Sequence, residues 1–146
     1  MNNNDQEAQH RFFVHNTINR LNNNSFQIKA IMITIVGAFI AIYASTSKDI
    51  FFVIPCPLIF IFWLLDSYYL QQEKKFRGIY NDICDLVPKN EKKTKQLFEI
   101  NPKIYKGGKY NFFRSMFSLS FMLLYLALIL LLLLIYVLVK NNFINI

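Results

Sequence analysis

Three apolar runs of membrane length dominate the sequence: roughly Ala30 to Ala44, Ile50 to Leu65 and Met116 to Val139. A hydrocarbon core about 30 Å thick asks for about 20 apolar residues per helical span. Extending the first run to Ile28 and Ser47 brings it to that length. In lipid a backbone must satisfy its own hydrogen bonds, so each run is expected to be helical. The chain has 146 residues and is 54% hydrophobic, enough for three spans and one small extramembrane element. The expected fold is an all-α integral membrane protein: a transmembrane hairpin, a Leu-rich third transmembrane helix and a cytosolic helical stalk.

Charge sets the expected orientation. Of 16 Lys and Arg, Arg11, Arg20 and Lys29 precede the first run, and eleven lie between the second and third. Only Lys48 and Lys140 fall on the other side. The positive-inside bias then places the N-terminus and the central loop in the cytoplasm, with the C-terminus periplasmic or external to a bacterial inner membrane. The expected divisions are a cytosolic N-terminal helix (1–29), the hairpin (30–65), a cytosolic amphipathic helix with a Lys-rich loop (66–114), the third span (115–140) and an external tail (141–146). Topology accounts for the net charge of +7, so membrane lipid is the expected partner and nucleic acid is not. Residues 1–27 are polar and Asn-rich, so no cleavable signal peptide is expected. Cys56 and Cys84 belong to different segments and are expected to be unpaired.

Within the hairpin, Ala30, Thr34, Gly37, Ala41 and Ala44–Ser45 recur at alternating spacings of four and three, forming one stripe of small residues. Such a stripe lets a second backbone approach closely. Packing against the second span is the first expectation, and a subunit interface is the alternative. Lys29 and Asp66 are equidistant from the hairpin centre, so antiparallel helices bring them to one depth as a charge pair. A proton or ion site at Asp66 is the other reading. Pro55 and Pro57 should loosen or kink the start of the second span. The third span is almost pure Leu and Ile, interrupted by Tyr125, Ala127 and Tyr136, and suits a lipid-facing helix.

Tyr69, Phe76, Ile79, Tyr80, Ile83 and Leu86 recur at helical spacing, which extends the second span as an amphipathic helix that Pro88 should end. Glu73, Asp82 and Asp85 read as its wet face, and Gly78 as its weak point. Val14, Ile18, Leu21 and Ser25 extend the first span backwards, forming the other half of the stalk. Asn24 is expected opposite Gln71, and Arg20 opposite Glu73 or its neighbours. Asn90 should cap a short helix reaching Phe98. Lys89, Lys92, Lys93, Lys95, Lys103, Lys106 and Lys109 form a basic loop that contacts lipid phosphates or another anionic partner, or is simply solvated. His10 and His15 read as surface imidazoles. No phosphate-binding loop, metal-binding motif or nucleophile–base pair is visible, so neither enzymatic activity nor a cofactor is expected.

Two stretches, Arg20-Leu-Asn-Asn-Asn-Ser-Phe-Gln-Ile-Lys29 and Phe62-Trp-Leu-Leu-Asp-Ser-Tyr-Tyr-Leu-Gln-Gln-Glu-Lys-Lys-Phe-Arg-Gly-Ile-Tyr80, resemble an uncharacterised group of small bacterial membrane proteins. The hairpin over residues 18–87 is similar to the two-span SLATT modules that accompany nucleotide-second-messenger systems of anti-phage defence. The resemblance implies a homo-oligomeric effector that disrupts the membrane barrier when a cytosolic protein or nucleotide signal from the same operon triggers it. Gly37 and Ala41 would then pack closely, Lys29 and Asp66 would hold register, and Tyr69, Glu73, Arg77 and Tyr80 would couple neighbouring stalks. A non-catalytic anchor or scaffold recruiting a cytosolic partner is the second expectation. An ion channel or transporter built on Asp66 is the third.

Overall fold

The computed structural model describes residues 3–94 and 98–141, apart from the side chains of residues 3, 4 and 120. Helix α1 covers Asn3–Thr46. It holds no proline and a single glycine, so little in its sequence interrupts the i→i−4 ladder. It ends where Ser47 takes a left-handed φ of 49° while its amide still reaches the Tyr43 carbonyl at 2.8 Å. Only Ser47, Lys48 and Asp49 then separate α1 from α2, Ile50–Val53. Pro55, which has no N–H to give, opens α3, Pro55–Ile83, so the second apolar run is divided at Ile54.

Helix α3 ends five residues before Pro88. Asp85 adopts φ 55°, and the Leu86 amide reaches back to the Asn81 carbonyl at 3.0 Å, the 6→1 bond of a Schellman cap. The expected terminator therefore comes too late. Among the described residues no helix starts at Asn90: residues 90–94 hold a turn and a bend, and 95–97, including Lys95, lie outside the described residues. Two short 3-10 turns follow, Pro102–Ile104 and Gly108–Tyr110. Helix α4, Phe112–Met116, and helix α5, Leu119–Lys140, complete the described chain. Between them Ser118 is extended, and its carbonyl accepts from the Phe121 and Met122 amides. There is no strand among the described residues, and three helices are long and apolar enough to cross a membrane.

The chain divides into two compact units. One, here the loop unit, comprises Met1–Ser25 and Tyr68–Ser115. The other, the span unit, comprises Phe26–Ser67 and Met116–Ile146. The segments expected as a stalk and as a returning loop thus belong to a single packed body.

In the loop unit, Val14 and Ile18 of α1 meet Ile79 of α3 and Tyr105 of the connecting loop, with Phe76, Ile83, Ile100 and Ile104 packed around them. In the span unit α1 buries Ile28, Met32, Val36 and Tyr43, spaced by fours and seven, and the other two spans bury Phe52, Ile59, Phe121, Tyr125 and Leu132. Aromatic pairs lock these contacts: Tyr43 meets Phe52 edge-on at 4.9 Å, and Trp63 stacks on Tyr125 at 6.1 Å. The third span keeps only 11% of its most apolar stretch buried, against 22% and 28% for the other two, so it is the helix that most needs lipid as its solvent.

Candidate functional site

The span unit contains one concentrated polar centre. Asp66, with no solvent exposure, lies on α3 four residues after Phe62. Lys29 Nζ from α1 reaches both of its oxygens, at 2.8 Å to Oδ1 and 2.7 Å to Oδ2. The pair that the hairpin spacing suggested is thus brought together. Tyr125 of α5 adds a third partner, its hydroxyl donating to Asp66 Oδ2 at 3.1 Å and lying 3.3 Å from the Phe62 carbonyl. The Lys29 ammonium also sits 4.3 Å from the centroid of the Phe121 ring, a cation–π contact with the same helix. Trp63 Nε1 donates to the Met116 carbonyl at 3.1 Å, close to the start of α5.

Three helices therefore converge on one carboxylate. In low dielectric a lone carboxylate costs several kcal/mol or more, and pairing with an ammonium plus a phenol offsets most of that cost. Sequence reasoning found Lys29 and Asp66 but missed Tyr125. A tyrosine inside an otherwise aliphatic span was the available signal, because a buried phenol seeks a partner.

The small-residue stripe corrects the first expectation for the hairpin. Ala30, Thr34, Gly37, Ala41 and Ser45 are all exposed, and a Cβ built on Gly37 meets nothing within 4 Å. Thr34, Ser45 and Thr46 turn their hydroxyls back to carbonyls of their own helix at Ala30 and Ile42. Packing inside the hairpin uses the bulkier Ile28–Met32–Val36–Tyr43 face because large apolar side chains fill the space between three helices better. The stripe is left as an open, flat helix surface.

In the loop unit, Asp82 is buried rather than part of a wet face. Its Oδ2 accepts from the Tyr105 hydroxyl at 2.5 Å, the Lys93 amide at 2.8 Å and the Thr94 amide at 3.0 Å. The Thr94 hydroxyl lies 2.8 Å from Tyr105 Oη. Burial, and then the hydrogen bond to Asp82, hold the Tyr105 phenol far above its ordinary range, so it stays protonated. Gly78 is the notch that admits this strap: an added Cβ would lie 2.7 Å from the Tyr105 ring and from the Tyr110 hydroxyl. It is a seat for two tyrosines, not a weak point in the helix.

Glu73 is also mostly buried and accepts from Arg77 Nε at 2.7 Å, one turn along α3, so the expected Arg20 partner is replaced by a local one. Gln71, expected opposite Asn24, donates to the Tyr110 carbonyl at 2.9 Å. Asn24 is half-buried and Arg20 exposed. Of the other residues assigned to coupling, Tyr69 is half-buried and edge-on to Tyr68 at 6.0 Å, and Tyr80 is tilted against His15 at 6.0 Å. Asp85 is exposed and paired with Lys92, as a residue on a wet face should be.

His10 is buried, not a surface imidazole. It stacks on Phe98 at 5.0 Å, and its Nδ1 accepts from the Phe98 amide at 3.2 Å. Lys103, Lys106 and Lys109 are exposed, and so is Lys93. Both cysteines are free, and among the described residues no group of three or more His, Cys, Asp or Glu is placed to hold a metal ion.

No protein-family model, no curated protein and no solved structure matches the chain.

Proposed function

We infer that the chain is a non-enzymatic, oligomeric membrane effector of a bacterial anti-phage or toxin system, which disrupts the inner-membrane barrier when triggered from the cytosol. The observation that carries this reading is the open small-residue face of α1. Ala30, Thr34, Gly37 and Ala41 present a flat surface on a membrane-length helix, and the chain's own helices leave it uncovered. Flat small-residue faces are where helices associate most closely in lipid, since van der Waals contact is the main attraction left there. The Lys29–Asp66–Tyr125 centre supports the same reading by tying α1, which carries this face, to α3 and α5. The resemblance of the hairpin to SLATT modules supplies the defence context. The cytosolic placement of the loop unit rests on the positive-inside bias, and it is where a protein or nucleotide trigger would act.

Membrane potential followed with a dye, in bacteria expressing the chain with and without a trigger, tests the proposal. Triggered depolarisation is expected, and Gly37→Leu with Ala41→Leu should abolish both depolarisation and crosslinked oligomers. Depolarisation that survives those substitutions removes the packing claim.

A second reading rests on α5. A helix so apolar and so little buried is suited to lipid anchoring, and an anchor that recruits a cytosolic partner would use it. No depolarisation under any condition, with the protein in the membrane, favours the anchor. An ion site at Asp66 is the weakest reading, because its carboxylate is already held by Lys29 and Tyr125.

A further inference from the structure

We propose that Lys93 and Lys109, converging on the ring of Tyr110, form a binding site for the phosphate of an anionic phospholipid headgroup. The proposal is independent of the effector reading and needs only that the chain is embedded in a bilayer.

Tyr110 is a fixed platform. Its hydroxyl end sits in the Gly78 notch, its ring meets Tyr105 edge-on at 5.2 Å, and its carbonyl takes the Gln71 side chain. Lys93 reaches this ring from the bend after α3 and Lys109 from the second 3-10 turn, their ammonium groups lying 5.4 and 5.2 Å from its centroid. Lys93 also stands 5.5 Å from the Tyr105 ring. Two like charges are thus held at one aromatic ring, while both residues remain exposed.

No carboxylate forms an ion pair with either lysine among the described residues. The obvious neighbour, Asp82, spends its Oδ2 on the Tyr105 hydroxyl and on the backbone amides of Lys93 and Thr94. Lys92, by contrast, is neutralised by Asp85. Cation–π contact holds each ammonium near the ring, and an anion bound there would neutralise charge that no carboxylate meets.

The adjoining residues point to a membrane as the source of that anion. Lys109 precedes Leu119, the first residue of α5, by ten residues, and the intervening stretch carries Arg114 with exposed Phe113 and Phe117. Basic residues interleaved with exposed aromatics beside a span are the composition that anionic membrane surfaces attract, at about 1 kcal/mol per Lys or Arg.

The full chain reconstituted in nanodiscs of phosphatidylcholine, with or without phosphatidylglycerol, provides the test. Acylation of each lysine by an amine-reactive ester is followed by mass spectrometry. Phosphatidylglycerol is expected to slow Lys93 and Lys109 about tenfold, with a smaller effect at Lys103 and Lys106. Equal rates in the two bilayers overturn the proposal. So does uniform slowing of all four lysines, which would mean a diffuse surface potential and no site. If inorganic phosphate in the neutral bilayer protects the same pair as well as the lipid does, the headgroup assignment is overturned in favour of a free anion. In a second measurement, Lys93→Gln with Lys109→Gln should lose the rise in Tm that phosphatidylglycerol gives the parent chain. An unchanged rise also overturns it.

Discussion

Each unit holds a buried aspartate, and the two are satisfied in opposite ways. In the span unit Asp66 is held by an ammonium, Lys29, with the Tyr125 phenol in support. In the loop unit Asp82 is held by neutral donors, two backbone amides and the Tyr105 hydroxyl. A carboxylate among apolar spans has little water to screen it, and an opposite charge that can snorkel to the edge compensates it best. A carboxylate beneath a loop has amides at hand that need acceptors, so it serves as the loop's anchor instead. One centre joins helices that the apolar pattern already requires. The other gives shape to a connection that has no pattern of its own.

That contrast can be broken by substitution, and the largest effect is expected at Asp82. Asp82→Ala strands two backbone amides and leaves the Tyr105 phenol only the Thr94 hydroxyl, and should cost about 4 kcal/mol in the loop unit. Thermal unfolding with hydrogen exchange over residues 93–110 would show it, and no second side-chain change should restore it, because two of the donors are backbone. Unchanged protection of that segment would remove Asp82 as the anchor.

Asp66→Leu should cost about 3 kcal/mol, since it leaves Lys29 without its carboxylate. Here rescue is expected: Lys29→Met combined with Asp66→Leu should return to within about 1 kcal/mol of the parent, because both charges are then gone. A double variant as unstable as the single one would make the two carboxylates alike and end the comparison. Gly78→Ala comes next, at about 2 kcal/mol, since the new methyl group meets the ring of Tyr105 and the hydroxyl of Tyr110 at 2.7 Å and the strap must shift. Amide exchange in the Gly107–Tyr110 turn should rise with it.

Tyr125→Phe should cost about 1 kcal/mol, the worth of one hydrogen bond to a charged acceptor whose main partner remains. A thermal shift in nanodiscs would measure this, and a null result would reduce Tyr125 to a packing residue. The smallest effect belongs to Asp85, whose carboxyl is held below its usual range by the hydrogen bond from Lys92. A depressed folded-state pKa means the contribution is complete above the unfolded value of about 3.9 and is lost as pH falls through the lower folded value. The acid limb of stability for Asp85→Asn should therefore be slightly flatter than the parent's below about pH 4. The site is exposed, so identical limbs would show the pair to be energetically silent.

Much of the span unit was legible in the sequence because membrane helices obey two strong rules, length and backbone self-satisfaction. Equal distance from the hairpin turn was enough to place Lys29 beside Asp66. The face of α1 was misjudged because small residues signal only where a close approach is permitted. Ile28, Met32, Val36 and Tyr43 share the same helical period and won the interior by volume. The loop unit was read poorly for a different reason. Asp82, Asp85 and Glu73 look alike as acidic residues on a helix, and only residues more than ten positions downstream distinguish the buried Asp82 from exposed Asp85.

The sequence by itself determined the all-α class, the three membrane-length helices and the break at Pro55, because apolar length and a missing N–H act locally. The tertiary structure alone decided which face of α1 turns inward, that Tyr125 joins Asp66, and that a loop without helical pattern is strapped through Tyr105 and Tyr110 to the notch at Gly78. Those outcomes depend on which partner fills a given volume or accepts a given proton, and such partners lie far apart in the chain.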